Sequence, residues 1–317
     1  MKNFDLAIIG AGPVGLFSAN YAQLHGLKSI IFDSLNEPGG QPKMLYPFKN
    51  IADIPVFNKI QASELIKHLT DNLNALTTIE TDHKVIDLKQ EDDYFIIDNE
   101  YSAKAILVAS GNGAFKPKKF PINMTEEAEK HVHYFVKDPK IFENQNIGIF
   151  GGGDSALDWA LELSNIANTS LIHRRNEFRG LETSINKLKN LKNVEIYTPY
   201  LPKTVEFIDN KLNIGLKKVG SDQMINREFD QIIVAYGFKA NNLFVKKWGV
   251  ELEGSHIKVN SEMTTNLPGI YAVGDAITYP GRVPIIGVGF GEAQIAINSI
   301  MRKLFPNKTL TIHSTSL

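Results

Sequence analysis

Two stretches of the chain carry a similar pattern of glycines after a short apolar run. Residues 8–19 read IIGAGPVGLFSA and residues 147–160 read IGIFGGGDSALDWA. In each stretch a predicted strand leads through a glycine turn into a predicted helix, and a second apolar strand follows. Strand–helix–strand units of this kind build parallel sheets, so the duplication predicts two units of one type rather than a solenoid.

The segments around these units predict that one domain is inserted into another. A chain of 317 residues exceeds the roughly 250–300 residues at which single hydrophobic cores stop growing. Glycine and proline at 111–121, and Gly237 later, mark two crossings between domains. We therefore expect an α/β protein with two Rossmann-like dinucleotide-binding domains. The expected ranges are 1–116 with 238–300, an inserted domain at 117–237, and a C-terminal extension at 301–317.

The composition narrows the class of function. The formal net charge is -1, so the chain lacks the basic excess that a nucleic-acid partner requires. The chain has no cysteine, which excludes disulfides, thiolate metal sites, iron–sulfur ligation and dithiol redox chemistry; we expect no metal. We find neither a signal peptide pattern nor the apolar run of about 18 residues that a membrane span needs. We expect a cytoplasmic enzyme without a membrane partner.

The first glycine turn has the spacing of a dinucleotide site. Gly10 permits a tight turn, Gly12 lets a pyrophosphate approach the backbone, and Gly15 lets the helix pack against the strand. Asp33 ends the next predicted strand, 23 residues after Gly10, where a carboxylate can accept a hydrogen bond from a ribose 2′-hydroxyl. The alternative is a glycine-rich turn with a purely structural role.

The second glycine turn, GGGDSA, repeats this frame with alanine in the last position. Counting 23 residues from Gly151 leads to Arg174, so a base replaces the acid. Arg174, Arg175 and Arg179 could form a guanidinium cluster suited to a 2′-phosphate, which favours NADP(H) over NAD(H). The alternative is a solvated basic face.

Two dinucleotides on one chain indicate electron transfer between a flavin at the first site and a nicotinamide at the second. Near the other end of the chain, Gly274 and Asp275 follow an apolar run, and this carboxylate could accept from a sugar-chain hydroxyl. The segment GVGFGEA (287–293) opens a predicted long helix, whose positive end could stabilise the negative charge of a reduced flavin. Read alone, this segment could equally be a loop before a packing helix.

Together these motifs resemble a known family. The spacing of GAGPVG, GGQ (39–41), GGGDSA, HRR and GDA is similar to that of the low-molecular-weight thioredoxin reductases, over nearly the whole chain. Those enzymes carry Cys-x-x-Cys before the second glycine turn, whereas HVHYFVKDPKIF (131–142) has no cysteine. Thioredoxin reductase activity is therefore excluded.

The cysteine-free relatives are the ferredoxin–NADP reductases of the thioredoxin reductase-like type. The segments GGQPKMLYPFKN (39–50), TYPGRVPIIGVGFGEAQIAIN (278–298) and IHSTSL (312–317) resemble segments of that family. Phe48 departs from it, since an acidic residue is common at this position.

The resemblance implies two cofactors, FAD and NADP(H), and a set of residues that bind them. Tyr46 would stack on one face of the isoalloxazine ring, and His313 and Ser314 would cover the other face across a homodimer; we expect these three as catalytic residues. The residues expected to bind the cofactors are Gly10, Gly12, Pro13, Gly15, Asp33, Gly40, Gln41, Tyr46, Val85, Gly111, Phe115, Gly274 and Asp275 for FAD, and Gly153, Asp154, Ser155, Arg174, Arg175 and Arg179 for NADP(H).

The expected activity is transfer of electrons between NADPH and a one-electron carrier protein, either ferredoxin or flavodoxin, by hydride transfer to flavin N5. Residues near Gly113 and Gly237 are expected hinges that bring nicotinamide and flavin together. One alternative is an NADPH-dependent flavin oxidase or monooxygenase, in which oxygen is the acceptor. Another is a non-catalytic redox sensor.

Overall fold

A computed structural model describes residues 1–113, 116–136, 138–239 and 242–306. The chain divides into two compact units, unit 1 of Met1–Phe115 with Ala240–Leu317, and unit 2 of Lys116–Lys239. Unit 1 thus contains both ends of the chain, and unit 2 is one uninterrupted segment.

The first part of unit 1 alternates strands and helices and then turns to antiparallel strands. Pro13 begins α1, where its fixed φ suits a helix and its missing N–H leaves no bond unmade. The elements are β1 (Lys2–Ile9), α1 (Pro13–Leu24), β2 (Ser29–Phe32), α2 (Gly40–Leu45), β3 (Asn50–Ile51), β4 (Ile60–Gln61), α3 (Ala62–Asp71), β5 (Thr77–Glu80), β6 (Leu88–Glu91), β7 (Tyr94–Ile97) and β8 (Tyr101–Val108).

Unit 2 repeats a strand–helix–strand order and adds three long antiparallel strands. A short 3₁₀ helix, Pro139–Phe142, precedes its central strand. The elements are β9 (Lys116–Pro117), α4 (Glu126–Glu129), β10 (Val132–His133), β11 (Asn146–Gly151), α5 (Asp154–Leu163), β12 (Asn168–Ile172), α6 (Glu182–Lys189), β13 (Val194–Tyr197), β14 (Tyr200–Ile208), β15 (Lys211–Lys218), β16 (Met224–Phe229), β17 (Gln231–Ala235) and β18 (Phe238–Lys239).

The chain returns to unit 1 for its last elements, which end in the long helix expected from the sequence. Two 3₁₀ helices, Leu243–Trp248 and Gly274–Ala276, lie among short strands. The remaining elements are β19 (Leu252–Glu253), β20 (His256–Lys258), β21 (Ile270–Ala272), β22 (Ile277–Thr278) and α7 (Ile286–Leu304).

The main sheet of unit 1 has a parallel core with an antiparallel edge. Its strands run in the order β5-β2-β1-β8-β7-β6, and β21 also pairs with β8. β1, β2, β5 and β21 are parallel to their partners. β8 is parallel to β1 and β21, while β7 is antiparallel to both β6 and β8. Leu6, Ala7 and Ile8 of β1 are fully buried, which explains the unbroken apolar run, since both faces of a parallel sheet are covered.

Unit 2 is built on a five-stranded parallel sheet in the order β10-β17-β11-β12-β13. Successive residues of β17 point to opposite faces: Ile233 joins the core under α5 and α6, whereas Ile232 and Val234 join the core under the β14-β15-β16 sheet. Both units therefore have a parallel sheet with a glycine turn between its central strand and a helix, which confirms the expected α/β fold of two Rossmann-like units.

The chain segments at the two ends of unit 2 lie side by side. β9 and β18 pair antiparallel, with Phe238 opposite Pro117, and the N–H of Lys118 donates to the carbonyl of Gly237 at 3.1 Å. In unit 1, the fully buried side chain of Asn242 accepts from the Ser110 hydroxyl at 2.9 Å and donates to the Gly111 carbonyl at 3.0 Å. The chain ends at the junctions are thus tied within each unit.

Candidate functional site

In unit 1 the first glycine turn is shaped by close backbone contacts. Gly10 has φ +114°, and a methyl group added there would lie 2.5 Å from the carbonyl oxygen of Ala109. A methyl group on Gly15 would lie 1.9 Å from the carbonyl oxygen of Gly10. A methyl group on Gly12 would meet nothing within 4 Å. Gly10 and Gly15 are therefore required by packing, whereas Gly12 leaves open space at the N-terminus of α1, the end of a helix that attracts anions.

Asp33 lies just past β2 and closes this turn from the side. Its side chain is 8% exposed; Oδ2 accepts from the N–H of Ala11 at 2.6 Å and Oδ1 accepts from the N–H of Leu35 at 2.9 Å. Burial raises the pKa of the Asp33 carboxyl, and the two backbone donors oppose that shift. A carboxylate offers about four acceptor positions, so two stay available to a ribose hydroxyl.

The GGQ segment contacts the same turn. The N–H of Gly39 donates to the carbonyl of Ala11 at 2.8 Å, and a methyl group on Gly40 would lie 2.9 Å from the Cα of Gly12. Gln41 is half-buried in α2. This segment therefore packs against the backbone of the first glycine turn.

Tyr46 follows α2 immediately and is half-buried. The ammonium of Lys49 lies 5.3 Å from the centre of the Tyr46 ring, within the range of a cation–π contact. The neighbouring Phe48, where the sequence departs from the related family, is exposed. The Lys49 ammonium thus places a positive charge near the Tyr46 ring. Both residues lie in the segment that follows Gly39 and Gly40.

The GDA segment and α7 complete the glycine-lined region of unit 1. A methyl group on Gly289 would lie 2.5 Å from Cγ2 of Val14 in α1, and one on Gly274, where φ is +71°, would lie 3.4 Å from the same side chain. A methyl group on Gly291 would meet nothing within 4 Å. The first turns of α7 therefore pack against α1 and the GDA turn at Gly289, and leave open space at Gly291.

Three further expected residues also lie in unit 1. Pro13 begins α1, Val85 is 4% exposed in the segment after β5, and Gly111 follows β8 with φ +58°.

Val85 belongs to a stretch, 78–90, whose sequence predicts one strand paired with residues 93–99. The structure corrects this: residues 77–80 form β5 parallel to β2, Asp82 turns at φ +53°, and within this stretch only the residues of β6 pair with β7.

Three expected residues, Phe115, His313 and Ser314, lie outside the described residues. The range 301–317, expected as a separate extension, begins within α7, which continues through Leu304.

A buried network of charged residues lies near the GDA turn, and none of the sequence motifs predicted it. Glu292 of α7 is 2% exposed; its Oε2 accepts from the N–H of Gly274 at 2.8 Å, and its Oε1 accepts from the Tyr279 hydroxyl and from Nε of Arg282, both at 2.9 Å. Nη1 and Nη2 of Arg282 both reach Oδ1 of Asp275 at 3.3 Å. One arginine thus joins α7 to the carboxylate expected to meet a sugar chain.

The second glycine turn, in unit 2, is closed by a histidine instead of a carboxylate. A methyl group on Gly151 would lie 2.6 Å from the carbonyl oxygen of Ala235, and one on Gly152 would lie 2.2 Å from the ring of His173. A methyl group on Gly153 would meet nothing within 4 Å, so the N-terminus of α5 also faces open space. The His173 ring stacks on Phe178 with centroids 5.4 Å apart.

The three expected arginines surround this histidine and are exposed to solvent. Burial lowers the pKa of the His173 imidazole, and the positive charges of Arg174, Arg175 and Arg179 lower it further. The N–H of Arg179 donates to the carbonyl of Gly152 at 2.7 Å. No ion pair among the described residues includes any of the three guanidinium groups. The turn therefore lies beside three exposed positive charges that form no ion pair within the described ranges.

Asp154 and Ser155 begin α5 and are exposed. Oδ1 of Asp154 accepts from the N–H of Leu181 at 3.0 Å, and a methyl group on Gly180 would lie 2.9 Å from that same oxygen. Asp154 thus holds the segment after Arg179 against the glycine turn.

These features fit two dinucleotides. Open space lies in front of the helix N-termini at Gly12 and Gly153, a carboxylate follows the second strand of unit 1, and exposed guanidinium groups follow the second strand of unit 2. In the described ranges no cluster of three or more His, Asp or Glu is placed to hold a metal ion. No helix in that part of the chain is both long and apolar enough to cross a membrane.

Comparisons with known proteins agree with this arrangement. The family model described as pyridine nucleotide-disulphide oxidoreductase matches residues 4–299. A ferredoxin–NADP reductase of Lactobacillus helveticus is 61% identical over 310 residues, which cover 98% of this chain and 100% of that protein. Ferredoxin–NADP reductase 2 of Latilactobacillus sakei is 40% identical over 322 residues, with 99% and 98% covered.

Among solved structures, thioredoxin reductase of Lactococcus lactis has a TM-score of 0.81 at 27% identity, covering 94% of this chain and 98% of that one. The absence of cysteine separates this chain from enzymes that reduce a protein disulfide through a dithiol. The chain therefore belongs to the pyridine nucleotide-disulphide oxidoreductase family, and within it to the ferredoxin–NADP reductases of the thioredoxin reductase-like type.

Proposed function

We propose that this protein is an FAD-dependent reductase that transfers electrons between NADPH and ferredoxin or flavodoxin. The observation that carries the proposal is the pair of glycine turns with opposite charge beside them, buried Asp33 in unit 1 and exposed Arg174 in unit 2. Names of relatives such as the L. helveticus ferredoxin–NADP reductase support ferredoxin as the carrier.

Unit 1 is the proposed FAD-binding unit. The N-terminus of α1, with Gly12 and Pro13, would hold the pyrophosphate, because its unpaired N–H groups and helix dipole favour an anion. Asp33 would accept from the adenosine ribose, and Asp275 from the ribityl chain. Gly40, Gln41, Val85 and Gly111, with Phe115 outside the described residues, complete the proposed set.

Unit 2 is the proposed NADP(H)-binding unit. Gly153 and Ser155 at the start of α5 would receive the pyrophosphate, with Asp154 holding the adjoining segment in place. Arg174, Arg175 and Arg179 would bind the 2′-phosphate, since guanidinium groups bind phosphate oxygens in a planar, two-pronged geometry.

When bound, FAD supplies the exchange between a hydride, accepted from NADPH at N5, and the single electrons that a carrier protein takes. Tyr46 would orient the isoalloxazine by stacking, and the nearby Lys49 ammonium would add positive potential to that face. The N-terminus of α7, which begins at Ile286, would favour negative charge on the ring. His313 and Ser314 would shield the opposite face from water in a homodimer, as the family resemblance implies.

The paired strands β9 and β18 support the proposal of a hinge near Gly113 and Gly237. Unit 2 begins at Lys116 and ends at Lys239, and the strands β9 and β18 next to these two junctions pair with each other. A rotation at these segments would bring the nicotinamide to the flavin without disturbing either core.

Anaerobic stopped-flow absorbance of the purified protein tests this function. NADPH should bleach the flavin absorbance, and oxidised ferredoxin or flavodoxin added next should restore it rapidly. Restoration only on admission of oxygen would replace the proposal with an oxidase or monooxygenase. Failure of NADPH to bleach the flavin would leave a redox sensor as the better account.

A further inference from the structure

The charged network of Asp275, Arg282 and Glu292 becomes more exposed from one end to the other. The side chain of Glu292 is 2% exposed, that of Arg282 7% and that of Asp275 41%. Glu292 is thus enclosed in the protein, and Asp275 is the end of the network that a ligand can reach. This gradient is unlike that of a surface ion pair, in which both partners are open to water.

The enclosed end of the network is fully hydrogen-bonded. Glu292 accepts from Gly274, Tyr279 and Arg282. Burial raises the pKa of the Tyr279 hydroxyl and the bond to Glu292 raises it further, so this hydroxyl stays a donor. A buried carboxylate with three donors has a defined orientation, and it therefore holds the guanidinium of Arg282 in one position.

At the exposed end, the guanidinium contacts only one oxygen of Asp275. Nη1 and Nη2 both lie 3.3 Å from Oδ1, and among the described residues no hydrogen bond reaches Oδ2 of Asp275. Holding one carboxylate oxygen fixes the direction of the other. Glu292 also holds the N–H of Gly274, the residue before Asp275, so backbone and side chain are set by the same buried group.

We propose that Arg282 and Glu292 are positioning residues that aim Oδ2 of Asp275 at a hydroxyl of the flavin ribityl chain and thereby slow the release of FAD. This inference rests on the proposed FAD site of unit 1. It assigns to Arg282 a function beyond neutralising Glu292: the guanidinium acts on the cofactor through Asp275, without contact of its own.

The rate at which FAD leaves the purified holoenzyme measures this role. Release is followed as the rise in flavin fluorescence after dilution. Arg282→Lys keeps the charge but cannot bridge two carboxylates with a planar fork. We expect Arg282→Lys to speed release about tenfold, the effect of losing one charge-assisted hydrogen bond. Arg282→Met should speed it more, because Glu292 is then buried without a counter-charge.

A double-mutant cycle separates positioning from a structural role. In an Asp275→Asn background, Arg282→Lys should change the release rate by less than about twofold, because the group that Arg282 aims is already altered. Asp33→Asn, at the adenosine end of the same site, is the matched control, and in that background the tenfold effect should persist. The Kd for NADP⁺, measured by equilibrium titration, should stay within about twofold throughout, since its proposed site lies in unit 2.

Each result of this double-mutant cycle either supports or overturns the positioning role of Arg282. A tenfold effect of Arg282→Lys in all three backgrounds would show that Arg282 acts only on the stability of the site, and would overturn the proposal. No effect of Arg282→Lys in any background would overturn it as well. Protein purified without flavin, and unable to take it up, would overturn both this inference and the proposed function. Loss of the effect in the Asp275→Asn background alone supports it.

Discussion

The two glycine turns share one backbone design and differ in what stands beside them. In unit 1 the position 23 residues after the first glycine holds Asp33, which is 8% exposed and accepts two backbone N–H groups. In unit 2 the same position holds Arg174, which is exposed. The Asp33 carboxylate is buried because the N–H groups of Ala11 and Leu35 hydrogen-bond to it, whereas the charged guanidinium of Arg174 stays in solvent.

The last position of the motif differs for a packing reason. In unit 1 a methyl group on Gly15 would lie 1.9 Å from the carbonyl oxygen of Gly10. In unit 2 the equivalent residue is Ala156, whose Cβ is fully accommodated within the core of the sheet. The helix of unit 1 therefore lies closer to its glycine turn than the helix of unit 2 lies to its own.

Of the variants that test this comparison, Gly15→Ala should have the largest effect on stability and flavin content. The added methyl group meets backbone rather than a movable side chain, so we expect destabilisation of about 3 kcal/mol or more, the upper end of the range for overpacking, and purification without flavin. Thermal unfolding and flavin absorbance measure both effects. Gly153→Ala, at the open glycine of the second turn, is the control: its methyl group meets nothing within 4 Å, so unfolding should be unchanged while NADPH binds less tightly. A stable, yellow Gly15→Ala protein would contradict the packing argument.

The next effect concerns the opposite charges. Replacing Arg174 and Arg175 together with glutamine should lower kcat/KM for NADPH about 100-fold, because two charge-assisted hydrogen bonds to phosphate are lost. The value for NADH should change less than about threefold. Steady-state reduction of an artificial acceptor with each coenzyme measures the difference, and replacing the exposed Lys192 and Lys203 of unit 2 removes the same charge as a control. Equal losses for NADPH and NADH would refute the 2′-phosphate assignment.

The smallest effect is a difference in pH dependence. Burial raises the pKa of Asp33 above 3.8 in unit 1 and lowers that of His173 below 6.5 in unit 2. The unfolded chain therefore binds more protons at His173 as the pH falls below about 6.5, so stability drops there. The buried Asp33 carboxyl instead lowers the free energy of unfolding as the pH rises above 3.8. This loss is complete once the pH exceeds the raised pKa of Asp33.

Thermal unfolding at pH 7.5 and 5.5 tests this difference. His173→Asn should remove a few tenths of a kcal/mol per pH unit from the slope, a small amount because the ring is partly exposed and screened. Asn176→Ser, at an exposed position of unit 2, changes no titratable group and should keep the wild-type slope. Identical slopes for all three proteins would exclude His173 as a source of acid sensitivity.

The strand–turn–helix units were predictable because their signals are local. Gly10 to Asp33 and Gly151 to Arg174 each span one continuous segment, and both segments form the predicted elements. The pairing partners of β5, β6 and β7 were less predictable, since strand pairing depends on residues distant in sequence. The long helix after the GDA turn was also predicted, and α7 confirms it.

The charged network at the GDA turn had a weaker signal. Glu292 shares a helix face with Ala296 and Ile300, which are both buried, so helical periodicity places a carboxylate in the core and calls for a partner. Which partner could not be read from the sequence, because Arg282 reaches Glu292 only after the loop between Tyr279 and Ile286 folds back. A charged residue on the apolar face of a predicted helix therefore predicts an oppositely charged partner elsewhere in the sequence.

The side-by-side crossing of β9 and β18 has a consequence for how such a chain arises. The ends of unit 2 lie as close as the two strands of a hairpin, and Asn242 ties the interrupted ends of unit 1 to each other. A gene fragment encoding unit 2 could thus enter an ancestral unit 1 at a single surface position without rerouting either backbone. Exchange of that fragment between related genes would change coenzyme preference while leaving the host core intact.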